Sequence, residues 1–203
     1  MSLEERFFNL LFKYTQNKTL IASLWEAINV QYSEKHRAYH NLQHLKELFT
    51  YFDTYKNSLN NANNIAFSIF FHDIIYNIWR NDNEEKSALF AVDKLSGIIN
   101  ATDLQEVNQQ IIATKNHIAT SNDCKFLVDF DLAILGQAPE KYTDYTKLIR
   151  KEYRKIPTFV YKKGRKKVLT HFLNKPFIFA TEIFRSEYQT QAKENLYTEL
   201  ISL

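Results

Sequence analysis

The 203-residue chain has little of what tight turns require, with Gly 3 and Pro 3. A large β-sandwich or barrel needs many such turns, so the composition points instead to helices joined by short polar loops. Gly97, Gly136 and Gly164 lie far apart. That spacing excludes a P-loop and a GxGxxG dinucleotide fingerprint, both of which need clustered glycines. Cys124 is the one cysteine, which excludes an internal disulfide and a Cys-rich zinc site. Any metal must therefore be held by histidines and carboxylates. No uninterrupted apolar run approaches the ~18 residues of a membrane span. The N-terminal MSLEERFFNLLF carries acids where a signal peptide carries bases, so a cytoplasmic protein is expected.

Hydrophobic residues make up 45% of the chain, aromatics 15% and charged residues 24%, as for a packed globular core. The spacing of apolar residues predicts an all-α fold in a single domain over 1–203. Its core runs from about 37 to 135, with C-terminal helices at 138–203 packed on it. Helices are expected at 3–15, 20–32, 40–55, 65–79, 84–99, 102–117, 125–135, 140–155, 165–173 and 177–201. Residues 65–79 (IAFSIFFHDIIYNIW) are apolar nearly all round, as in a central buried helix. Trp25, Trp79, Phe67, Phe70 and Phe71 read as core, and Gly136 as the glycine that closes a helix.

The histidines carry the chemistry. His36, His40 and His44 are four apart and share one side of a helix that starts early enough. His72 and Asp73 are adjacent within the most apolar stretch, where a polar pair is costly unless it is paired or binds a cation. VDFDLAIL then places Asp129 and Asp131 in another apolar helix, on different faces. Two imidazoles and two carboxylates on buried helices suit a divalent transition metal.

The joint pattern resembles the HD superfamily of metal-dependent phosphohydrolases. The resemblance is carried by His44, His72–Asp73 and Asp131, and by RAYHNLQHL (37–45), FFHDIIYN (70–77), DNEEKSA (82–88), ATKNH (113–117), DFDLAILG (129–136), YTKLIRKEY (145–153) and YKKGRKKVL (161–169). It implies that His44, His72, Asp73 and Asp131 hold a divalent cation (Mn, Mg, Fe, Co, Ni or Zn), with Asp129 the rival for the last place. It implies hydrolysis of a phosphomonoester or phosphoanhydride, a nucleotide among the options. The alternative is a non-catalytic module of the same fold that binds a nucleotide or a protein. Some nucleotidase members carry a Glu in HDxxE; here Tyr76 stands at that position, and Glu84 or Glu85 could supply the acid.

Around these ligands, Asp73, Lys115, His117 and Glu84 are the candidate catalytic groups. Lys115 or His117 would stabilise phosphoryl charge or protonate the leaving oxygen. Arg37, His40, Arg150 and Tyr153 are the candidate substrate-binding residues. Asp82 or Asn83 is expected to cap the helix that carries Glu84. From Lys147 to Lys167 there are ten Lys or Arg and one acid, Glu152, and Arg165 reads best as a salt bridge between helices. The net charge of +3 and the lack of an RNA-binding motif argue against nucleic acid as a partner, and no membrane partner is expected.

Overall fold

The computed structural model describes residues 1–203. It is all-helical: α1 (Leu3–Leu11), α2 (Lys18–Tyr32), α3 (Leu42–Tyr55), α4 (Ala62–Phe71), α5 (Asn83–Leu95), α6 (Ala101–Asn116), α7 (Asn122–Leu132), α8 (Pro139–Glu152), α9 (Thr158–Leu173) and α10 (Glu182–Ser202). No helix is long and apolar enough to cross a membrane.

Asparagine opens four of the helices. The side chains of Asn17, Asn41, Asn61 and Asn100 accept a backbone N–H in the first turn of α2, α3, α4 and α6. Each satisfies a donor that the first helical turn leaves without an intrahelical partner. Ser2 forms a reciprocal capping box with Glu5 on α1, and Thr181 caps α10.

The chain divides into two compact units, Met1–Leu127 and Val128–Leu203, with the division falling inside α7. The core of the first unit is aromatic. Phe7 meets Phe70 edge-on with ring centroids 5.0 Å apart, and Phe49 lies 4.7 Å from Phe70. In α4 every residue from Asn64 to Phe71 is buried, as expected for a helix that is apolar all round. The second unit packs Phe130, Phe179, Phe184, Leu169 and Leu196 into its own core.

Several boundaries differ from expectation. The central helix stops at Phe71 rather than continuing to 79, because distant side chains take its next backbone groups. Arg37 donates to the carbonyls of Asp73 and Ile74, and Ser87 Oγ accepts from the Ile75 N–H at 3.1 Å. Trp79 is therefore not core. It sits in a loop pinned by Asn77 and Asn83 and is 65% exposed. Helix α3 begins at Leu42, so His36 and His40 lie in the turns before it and do not share a helical face with His44. Helix α9 starts at Thr158, not 165; Gly164 is inside it rather than at its start.

Gly136 is not a left-handed helix stop. That geometry belongs to Gly97, at φ 74°, and to His117, at φ 52°. Gly136 is needed for close approach: a Cβ there would lie 2.5 Å from Tyr188 Cβ and 2.7 Å from Tyr188 O on α10. Gly136→Ala is expected to destabilise the protein by about 1–3 kcal/mol through overpacking. At helical Gly164 a Cβ meets nothing within 4 Å. Gly164→Ala should therefore stabilise by about 0.5–1 kcal/mol through helix propensity. Urea unfolding of the two variants checks the sign at each position; stabilisation by Gly136→Ala would contradict the close-approach role.

Candidate metal centre

The end of α4 explains how adjacent residues reach one point. On a continuing helix His72 and Asp73 would diverge by about 100°. Here His72 is the last helical turn's cap and Asp73 lies beyond it. Asp73 Oδ2 folds back to 3.3 Å from His72 Nε2 and 3.8 Å from His44 Nε2. The two imidazoles face each other with Nε2 atoms 3.2 Å apart. His44 and His72 are 2% and 1% exposed.

These separations fit a shared cation. With metal–ligand bonds of ~2.1 Å, neighbouring ligand atoms lie about 3.0 Å apart in an octahedron and about 3.4 Å apart in a tetrahedron. The tautomer of His72 fits as well. Its Nδ1 lies 3.0 Å from the carbonyl of Ile69, a contact that an N–H satisfies. Nε2 then carries the lone pair towards the centre. His44, His72 and Asp131 each offer one ligand atom, all within 4.8 Å of one another, and this group could hold a metal ion.

Asp129, the rival aspartate, has a different task. Its carboxylate accepts from the N–H groups of Ala180 and Thr181 at 2.6 and 2.7 Å and from the Thr181 hydroxyl at 2.6 Å. Burial raises its carboxyl above the usual range, and these hydrogen bonds oppose the rise. It anchors the start of α10.

Arg37, expected to contact substrate, instead supports the loop that carries Asp73. Its side chain is fully buried and its donors are taken. Nη1 donates to the carbonyls of Asp73 at 2.6 Å and His40 at 3.2 Å, Nη2 to that of Ile74 at 2.8 Å, and Nε to Glu34 at 3.0 Å. The sequence reading missed Tyr32 and Ser87. The Tyr32 hydroxyl accepts from the Asp73 N–H at 3.2 Å, and Ser87 holds Ile75. No spacing marks either residue; only the helix end at Phe71 shows what they hold.

His40 stays beside His44, its ring 5.7 Å from that of His44 and stacked 4.4 Å from Tyr76. Glu84 is half-buried in the first turn of α5. Burial holds its carboxyl above the usual range, the Asp73 carboxylate adds to the rise, and its own backbone N–H and Lys115 oppose it. Asp82 stands at the N-cap position but turns its carboxylate to Arg80, at 2.7 and 2.6 Å. The Lys115 ammonium pairs with Glu85. His117 closes α6 in the left-handed conformation that glycine or asparagine usually supplies.

Arg150 and Tyr153 belong to the second unit's own framework. Arg150 donates to the carbonyls of Tyr153 and Ile156 at 2.7 and 3.3 Å and to the Thr158 hydroxyl at 3.2 Å. It also covers the Tyr161 ring at 4.7 Å, so its expected substrate-binding role gives way to a structural one. Tyr153 lies in the turn between α8 and α9, its ring 5.8 Å from that of Tyr161. Arg165 makes the expected interhelical salt bridge, with Glu199 at 2.7 and 2.8 Å. Cys124 is buried in α7, and burial raises its thiol, opposite to a nucleophile's need.

No family model matches the chain, and searches of the curated proteins and of the solved structures found no matching protein. The site is therefore read from its own geometry.

Arg37→Met is expected to lower stability by about 2–4 kcal/mol, because it strips charge-assisted bonds from three backbone carbonyls, that of Ile74 buried. Chemical denaturation checks this. An unchanged unfolding midpoint would show that the loop carrying Asp73 holds itself.

Proposed function

We propose that this protein is a metal-dependent phosphohydrolase of the HD type, acting on a phosphomonoester or phosphoanhydride. The observation that carries the reading is the convergence of His44 Nε2, His72 Nε2 and Asp73 Oδ2 within 3.8 Å at the broken end of the most apolar helix. Asp131 completes the proposed ligand set. A divalent cation there would supply Lewis-acid polarisation and offset charge on a phosphoryl group.

The chain's own groups have distinct parts in this reading. The Ile69 carbonyl orients His72, and Arg37 with Tyr32 fixes the backbone of Asp73. Glu84, half-buried at the start of α5, is the chain's candidate carboxyl for proton transfer to the leaving oxygen. Lys115 reduces negative charge around Glu84 and Glu85 rather than clamping phosphate directly. A substrate of this class is anionic and small, which fits a centre whose aspartate is 15% exposed while its histidines are sealed.

The test is a metal-by-substrate screen on purified protein. Aryl phosphates, nucleoside mono- and triphosphates and cyclic dinucleotides are each assayed with several divalent cations. Asp73→Ala and Asp131→Ala are each expected to remove stoichiometric metal, read by elemental analysis, and to lower hydrolysis by at least about 100-fold. Asp129→Asn should leave metal content intact while lowering stability. Full metal content and wild-type activity in Asp73→Ala would sink the assignment. Metal binding without turnover of any phosphoester would favour the non-catalytic module.

A further inference from the structure

The charge of the chain is segregated. Residues 1–127 carry 12 Lys or Arg against 14 Asp or Glu, whereas residues 128–203 carry 14 against 9. Most of the excess sits around α9. Three of the ten cations from Lys147 to Lys167 have local partners: Lys147 with Asp144, Arg150 with its carbonyls and Arg165 with Glu199. The other seven, Lys151, Arg154, Lys155, Lys162, Lys163, Lys166 and Lys167, are all exposed. The segment's single acid, Glu152, is 4% exposed and so cannot screen them from solvent. An ordinary solvated face mixes both signs; this one does not.

The cations on α9 are ordered. Phe159, Lys162, Lys163, Lys166 and Lys167 follow the spacing of one helical face. The opposite face, with Tyr161, Arg165, Leu169 and Phe172, turns inward. Phe159 heads the cationic face and is 77% exposed. Arg150 staples the preceding turn, which carries Arg154 and Lys155, to the start of α9 through Tyr153, Ile156 and Thr158.

We infer that the outward face of α9, with the turn before it, binds a single-stranded nucleic acid. The lysine rows would neutralise successive phosphates, and Phe159 would stack on an unpaired base. A duplex fits less well because its bases are closed to stacking by an exposed ring. A lipid surface fits less well because the outward face has no continuous apolar stripe to insert. The modest net charge of the whole chain hides this face, because the acidic excess lies in residues 1–127. The inference is independent of the proposed hydrolase activity.

The test uses the full chain with fluorescent oligouridylate and oligodeoxythymidylate of about 20 nucleotides, titrated at about 50 and about 200 mM salt. Expected is binding whose log affinity falls with log salt at about −0.7 per neutralised phosphate. Replacing Lys162, Lys163, Lys166 and Lys167 together by Gln should make that slope shallower by roughly 3. Phe159→Ala should weaken binding about tenfold with the slope unchanged, and Phe159→Trp should restore it. Comparison of the two strands shows whether the sugar matters. Thermal melts of the variants exclude misfolding, since every altered side chain is exposed. No binding by the wild type at low salt would overturn the inference, as would quadruple-variant binding equal to wild type. Binding to phosphatidylserine vesicles but to neither oligonucleotide would overturn it in favour of a membrane surface.

Discussion

The first unit depends on one buried guanidinium. Arg37 has no exposed side-chain surface, yet it carries a full charge. Such a group is tolerated only when its donors are satisfied. The acceptors it finds are the carbonyls of His40, Asp73 and Ile74 and the carboxylate of Glu34. Satisfying the charge therefore fixes two stretches of chain at once: the turn before α3, which carries His40, and the loop after α4, which carries Asp73. The central helix ends where Arg37 claims its carbonyls, and that ending brings His72 and Asp73 to one point.

The candidate centre is a consequence of this break. Histidines at the border of an aromatic core would ordinarily be silent hydrogen-bonding residues. Here the Ile69 carbonyl takes one nitrogen of His72 and leaves the other directed at His44 and Asp73. Asp129 shows what a structural carboxylate looks like in the same protein. Its oxygens are occupied by three donors of Ala180 and Thr181, the residues that lead into α10. The difference between Asp129 and Asp131 is one of face, set by their separation of two residues along α7.

The all-helical class was legible from scarce glycine and proline and from apolar spacing, and His44 and His72 as members of a group that could hold a metal ion from their place beside apolar helices. Helix ends were not legible, because they depend on partners distant in sequence. Nothing in IIYNIW marks a stop, since Arg37 and Ser87 impose it from elsewhere. Trp79 was misplaced as core for the same reason: a helix prolonged past Phe71 would have turned it inward. Arg37 and Arg150 were candidates for substrate binding because sequence shows a charge but not its acceptors, and both donate to backbone carbonyls. Gly136 was read from its position after a helix, whereas its smallness serves the approach of Tyr188, a contact no local pattern reveals.

Charge needs the same distinction between composition and placement. A net +3 is unremarkable for a chain of this size, and taken alone it argues against a polyanion partner. Yet a sum carries no positions. Buried or paired charges such as Arg37, Arg165 and Glu152 contribute to it fully while presenting little field to solvent. What an approaching anion meets is the set of exposed, unscreened cations, and on α9 these share one face. The count of exposed like charges per face, rather than the formal net charge, is the quantity that governs steering and counterion release.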